Sequence, residues 1–278
     1  MNFSLVKYSI FRRRINVNNK YGLIGKNIAY SKSPKIHKFM AEKLNLDMIY
    51  ELIDIEEDVL PRLMKQLRSG IYRGFNVTAP YKQVICKYLD ELTPKAKRIQ
   101  AVNTIYMKND KVIGDNTDYD GFIGLLLTQH IDVKGKNVYI LGSGGAAKSV
   151  YVALMDLMAD VTVVVRKVTE DTSFFHKIIT YDQINPKIVD LYIQTTPIGT
   201  HPNVYDSVLS TEYVKNQTVI DLIYNPPVTQ IMKDSQLGIN GLNMLIIQAL
   251  KSEEIWFSRK IEWTTLLMNA LKEVVYSE

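Results

Sequence analysis

Asn137-Val138-Tyr139-Ile140-Leu141-Gly142-Ser143-Gly144-Gly145-Ala146-Ala147 runs from a short apolar stretch straight into a glycine cluster. The first five residues read as a buried strand. The helical run Ala146 to Met158 follows the glycines at once. Strand, glycine turn and helix in that order make a Gly-x-Gly-x-x-Ala version of the dinucleotide-binding fingerprint. Gly142 permits the tight turn, Gly144 lets main chain approach a pyrophosphate, and Ala147 is small enough for close helix–strand packing. The helix start offers free N–H groups and a partial positive charge to phosphates. A purely structural glycine turn is the competing reading of this stretch taken alone.

Downstream, Val161 to Val165 is a β-branched strand. A cofactor with a free ribose 2′-hydroxyl usually meets an acid at the end of that strand. Arg166 and Lys167 stand there instead. Cations favour a 2′-phosphate, and an arginine can clasp it bidentately, so the expected cofactor is NADP. Solvated loop charges are the alternative. Val189 to Gln194 and Thr218 to Ile223 read as further strands, Asn243 to Phe257 and Trp263 to Val275 as helices.

Upstream the same rhythm appears. Tyr21 to Gly25, Met48 to Ile53 and Tyr72 to Thr78 read as strands, and Glu56 to Ser69 as a helix. Pro34 to Leu44 reads as a helix with Ser33 as N-cap and Pro34 at the first helical position. This alternation argues for parallel βαβ units. The expected fold class is α/β with two domains, an N-terminal substrate domain and a Rossmann NADP-binding domain. A joint is placed near Gly114 to Gly121 and a second crossing near Gly238 to Gly241. The domain boundaries expected are 1–117 with 241–278, and 118–240.

The 278 residues are 46% hydrophobic and 23% charged, ordinary for a globular protein with a sizeable core. The net charge of +5 is spread among acids. It suits small anionic ligands better than nucleic acid. The lone cysteine, Cys86, excludes an intrachain disulfide and fits a reducing, cytoplasmic setting. No apolar run approaches the ~20 residues of a membrane span. Residues 1 to 20 carry Lys7, Arg12, Arg13, Arg14 and Lys20 and no acid. They read as an extension, with strand-forming types from Leu5 to Phe11; an organelle address is the alternative.

Four segments of the first half place polar groups at strand ends. Ser31-Lys32-Ser33-Pro34-Lys35-Ile36-His37 offers two hydroxyls and a helix start, which suits a carboxylate; capping by Ser33 explains it equally. Gly74 to Lys82 puts Asn76 and Thr78 on one face of a strand, stops at Pro80, and sets Lys82 at the start of the next helix. A lysine beside a positive helix end calls for an acidic or anionic partner. Ala101-Val102-Asn103-Thr104 presents an amide near a strand. Gly114 to Gly121 is an acidic turn before a helix, with capping as the ordinary role of its acids. No histidine shows metal-ligand spacing, and no metal is expected; His37 reads as packing or capping.

Together these segments resemble the shikimate dehydrogenase family. Its signatures stand in order: Ser-x-Ser-Pro-x-x-His at 31 to 37, Asn-Val-Thr-x-Pro-x-Lys at 76 to 82, Ala-Val-Asn-Thr at 101 to 104, and Asn-Thr-Asp at 116 to 118. The glycine loop follows, then Tyr224-Asn225-Pro226, then Gly241-x-x-Met-Leu-x-x-Gln248. The likeness covers residue 21 to the end. It implies reduction of 3-dehydroshikimate to shikimate, with Lys82 and Asp118 as catalytic pair. It implies Ser31 and Ser33 as carboxylate ligands, Tyr224 nearby, and Thr78, Asn103, Asp118 and Gln248 as ring-hydroxyl ligands. Gly142 to Ala146, Arg166, Leu222 and Gly241 are implied cofactor contacts, and Lys167 is added as a substitute second cation. The resemblance also implies that the C-terminal helices return to the first domain.

The chemistry suits these residue types. Ketone reduction needs a hydride, which a nicotinamide supplies, and a proton, which a positioned lysine can give while stabilising the developing alkoxide. Two departures from the family pattern stand out. Glu170 occupies the place where a second cation is expected, and Gln194 stands where asparagine is usual. The alternatives are an NAD-using quinate/shikimate dehydrogenase and a non-catalytic ligand sensor of the same fold. Oligomeric state is not legible, and a homodimer is kept open.

Overall fold

The computed structural model describes residues 19–277. The basic leader and the strand expected from Leu5 to Phe11 lie outside the described residues. The first sheet has strands β1 (Lys20–Gly25), β2 (Ile49–Asp54), β3 (Gly74–Val77), β4 (Glu91–Leu92), β5 (Thr104–Lys108) and β6 (Lys111–Asp115). With them run helices α1 (Ser33–Leu44), α2 (Leu60–Arg68) and α3 (Pro94–Ile99). Helix α4 (Asp118–Thr128) leads to the second sheet: β7 (Asn137–Leu141), β8 (Asp160–Val165), β9 (Ile178–Thr180), β10 (Leu191–Gln194), β11 (Thr218–Asp221) and β12 (Leu237–Asn240). Its helices are α5 (Gly145–Asp156), α6 (Thr211–Val214) and α7 (Gln230–Asp234), and α8 (Leu242–Phe257) and α9 (Thr265–Tyr276) end the chain.

The second sheet is parallel throughout, in the order β9-β8-β7-β10-β11-β12. Its strands are apolar on both faces because both faces are covered. Val138 and Ile140 of β7 join a core with α4 and α5, while Tyr139 and Leu141 join a second core with Val214, Ile231 and Met232. The two-residue period divides β8 and β10 in the same way. Strand order reverses between β7 and β10, where open α/β sheets bind ligands at their carboxyl ends.

The first sheet, β2-β1-β3-β5-β6-β4, is mixed. The expected parallel units account for β1, β2 and β3 only. β5 runs antiparallel to β3 and forms a hairpin with β6. Asn109 and Asp110 turn that hairpin, both with positive φ. Two left-handed residues match the twist of paired strands, and Asn and Asp tolerate that conformation. The helix expected over Glu56 to Ser69 splits into a 3-10 turn (Glu57–Val59) and α2, with Pro61 in the first α-turn.

One face of this sheet packs on α2; α1 and the C-terminal helices form a separate core around Ile36, Met40, Ile246, Leu250 and Leu271. Trp256 of α8 lies 4.6 Å from the Tyr21 ring and donates its indole N–H to Ile105 O at 3.2 Å. The last helices therefore return to the first lobe. α4 packs against both α8 and α5, at the seam of the two lobes.

Candidate active site

The two sheets meet over a cleft of about 360 Å³. Ser31, Ser33, Thr78, Lys82, Asn103, Asp118, Tyr224 and Gln248 all line it, as do Ala146, Leu222 and Gly241. Gly142, Ser143, Gly144, Gly145, Arg166 and Lys167 lie outside this lining.

Three local details differ from the sequence expectation. Ser33 is not the N-cap: Lys32 is, without a side-chain bond, and Ser33 opens the helix. The Ser31 hydroxyl accepts from Ser33 N–H at 3.3 Å. Lys82 does not start an α-helix; it sits in the turn before a 3-10 segment, Val84–Tyr88. The Asp118 carboxylate does not cap α4. Its N-cap is Thr117, and Asn116 Oδ1 takes the Tyr119 N–H at 3.2 Å.

Asp118 is thereby free for another partner. Lys82 Nζ donates to Asp118 Oδ2 at 2.6 Å, with side chains only 16% and 8% exposed. Asn103 Nδ2 donates to Asp118 Oδ1 at 2.9 Å and to Gln248 Oε1 at 3.3 Å. One buried amide thus spans the acid and the glutamine. Near Ser31, burial pushes the Tyr224 phenol up to about 12, and Tyr30 adds to the rise. Hydrogen bonds with the Lys32 backbone and the Ser31 side chain oppose it. The phenol stays protonated beside the serine pair.

The opposite wall carries Ala146, Thr195, Thr196, Leu222 and Gly241, with the glycine turn next to it. Gly142 has φ +108°, and a Cβ there would meet Thr196 Cγ2 at 2.8 Å. A Cβ on Gly241 would lie 2.1 Å from Leu222 O, so these two predicted cofactor residues touch directly. Nothing lies within 4 Å of the Cβ position of Gly144, which leaves open space before α5. A dinucleotide fits this arrangement: free N–H groups at a helix start, and Arg166 and Lys167 exposed at the end of β8. The substituted Gln194 is buried and pins the cleft rim, accepting from Thr196 N–H and donating to Ile198 O. Asp221, at the end of β11, is fully buried and pushed up to about 6 by desolvation, against bonds from Thr229 and Ile223.

His37 does not line the cleft. It is buried, hydrogen-bonds Glu253 at 2.7 Å and stacks on Tyr50. Cys86 is half-buried against the first core, and burial raises its thiol pKa. Sequence reasoning missed Tyr30, Thr195, Thr196 and Met244 as lining residues, and Ser252 behind them. Ser252 lies one helical turn after Gln248; that spacing was the available signal.

The substrate-binding-domain model of shikimate dehydrogenases matches residues 23–105. The shikimate dehydrogenase (NADP(+)) of Clostridium beijerinckii is 36% identical over 266 residues, covering 92% of this chain and 96% of the relative. The chain belongs to the shikimate dehydrogenase family. Among solved members, shikimate dehydrogenase 1 from Peptoclostridium difficile superposes with a TM-score of 0.83 at 36% identity, over 93% of this chain and 100% of that one. A Thermus thermophilus shikimate 5-dehydrogenase, solved with NADP(H) and shikimate, gives 0.81 at 28% identity, over 92% and 98%. The shared fold is the family's two-lobed α/β architecture.

Proposed function

We infer that this chain interconverts 3-dehydroshikimate and shikimate with NADP as cofactor. The observation that carries this reading is the Lys82–Asp118 pair, 2.6 Å apart in the cleft wall, directly beside the glycine loop. A Cβ on Gly145 would meet the Lys82 Cβ at 3.1 Å. The ammonium and the phosphate-binding turn therefore share one crevice.

Ser31 and Ser33, with Tyr224 beside them, hold the substrate carboxylate. Thr78, Asn103, Asp118 and Gln248 hold the ring hydroxyls. Gly142 to Ala146, Arg166, Lys167, Leu222 and Gly241 hold the cofactor. A nicotinamide held there would supply the hydride chemistry of the reaction. Lys82 delivers a proton from Nζ to the ring oxygen and stabilises the alkoxide as its charge develops. Asp118 keeps that ammonium aimed into the cleft and compensates its charge. The apolar wall around Leu23, Val77 and Met244 limits water at the reacting centre.

The domain division 1–117 with 241–278, and 118–240, follows from this division of labour, with α4 as the shared strut. No helix among the described residues is long and apolar enough to cross a membrane. With a single cysteine, we place the enzyme in the cytoplasm. A spectrophotometric assay of shikimate oxidation with NADP and with NAD tests the reading. At least a tenfold advantage for NADP in kcat/KM is expected, about 1.4 kcal/mol. Absence of turnover with either cofactor refutes the activity, and equal use of NAD refutes the cofactor assignment.

A further inference from the structure

We propose that Asn76 and Ser252 are positioning residues for the Lys82–Asp118 pair, acting through the amide of Asn103. The proposal rests on the catalytic reading of that pair given above.

In and behind the cleft wall lies a buried cluster drawn from four elements: Asn76 of β3, Asn103 and Thr104 at the start of β5, Thr117 before α4, and Ser252 of α8; of these, Asn76 and Asn103 line the cleft. Each is 5% exposed or less. Buried polar groups need partners, and a network with every partner supplied has one preferred arrangement. Thr117 N–H donates to Asn103 Oδ1 at 2.7 Å. A backbone N–H cannot reverse its role, so it fixes which end of the Asn103 amide is oxygen. Nδ2 must then face Asp118 and Gln248, as observed.

One layer further back, the Asn76 amide is oriented in the same way. The Tyr50 hydroxyl donates to Asn76 Oδ1 at 2.8 Å. Burial and the Glu253 carboxylate push that phenol well above its ordinary pKa, so it remains a donor. Asn76 Nδ2 therefore faces inward, donating to Ser252 Oγ at 2.9 Å and to Asn103 O at 3.1 Å. Ser252 Oγ donates to Gln248 O at 3.0 Å, and lies 2.8 Å from Thr104 Oγ1 and 3.1 Å from Thr117 Oγ1. Both of those hydroxyls also bond to Asn103 Oδ1. Ser252 and Asn76 thus clamp the two ends of one device: the Asn103 main chain and the groups around its side-chain oxygen. Neither Ser252 nor Asn76 makes a hydrogen bond to Asp118 or Lys82.

Ser252→Ala deletes the hub hydroxyl and leaves the helix unaltered. Its kcat for shikimate oxidation is expected to fall ~10-fold with KM for shikimate within about twofold, since the hydroxyl orients the pair and does not bind substrate. Tyr50→Phe removes only the donor that orients Asn76 and is expected to lower kcat by ~2–3-fold. The decisive measurement is a double-mutant cycle with Asn103→Ala. If Ser252 acts through Asn103, adding Ser252→Ala to that background leaves kcat unchanged within about twofold. Multiplicative losses in the cycle overturn the proposal. So does a Ser252→Ala enzyme with a lowered Tm and normal kcat, which makes the cluster a fold element only. Failure of the underlying reading looks different: Lys82→Ala would keep near-normal turnover whatever Ser252 does.

Discussion

On the first-lobe side of the cleft, buried polar side chains hold one another at distances near 3 Å, with Asn103 bonded to Thr117, Asp118 and Gln248. On the nucleotide side, Thr195, Thr196, Leu222 and Gly241 line the cleft, the glycine turn lies outside that lining, and the cations Arg166 and Lys167 stand in solvent. The first wall is preorganised: its donors and acceptors are committed before substrate arrives. The second offers a glycine turn, a helix start and exposed charges that cost little to keep ready. A carbonyl whose charge changes during reaction needs oriented groups that do not relax. A dinucleotide that only has to be gripped does not.

Breaking the preorganised wall has the largest expected effect. Lys82→Ala is expected to lower kcat by ~10² or more with KM within a few fold, read by steady-state kinetics. Near-normal turnover removes Lys82 from the chemistry. On the other wall, Arg166→Ala is expected to cost ~10-fold in kcat/KM with NADP and little with NAD. Equal losses with both cofactors make the arginine a general cofactor ligand rather than a reader of the 2′-phosphate. Ser31→Ala is expected to raise KM for shikimate by ~5-fold with kcat nearly unchanged. An unaltered KM takes Ser31 out of the carboxylate site.

The smallest effect sharpens the contrast from the nucleotide lobe itself. Asp221 is held at about 6, raised from 3.8 by burial. A carboxyl with a raised folded pKa contributes most below its unfolded value, and that contribution is lost as pH climbs from about 4 to about 6. Asp221→Asn lacks this loss. Between pH 4 and 7 the wild-type Tm should therefore drop by about 2–4 °C more than that of the variant. Parallel Tm profiles would show that the buried acid is not titrating in this window.

How much of this was legible varied with distance along the chain. The β7–α5 loop needs only neighbouring residues, and its strand was bounded correctly from Asn137 to Leu141. The β5–β6 hairpin was missed because Asn109-Asp110 lacks the glycine that usually marks such a turn. Lys82 and Asp118, 36 positions apart, were paired only through the family resemblance. The approach of Ser252 to Asn76, 176 positions away, left no local mark.

From its sequence alone the chain determined an α/β rhythm, a strand–glycine turn–helix of the dinucleotide-binding pattern and the cations after β8, because each depends on interactions within one βα unit. Only the tertiary structure decided that α8, whose return to the first lobe the family resemblance implied, sets Ser252 against Asn76, Thr104 and Thr117. It also decided that Asp118 turns from capping its own helix to holding Lys82. Those outcomes follow from burying apolar faces of distant elements together, and the polar groups carried in with them had to find partners in one another.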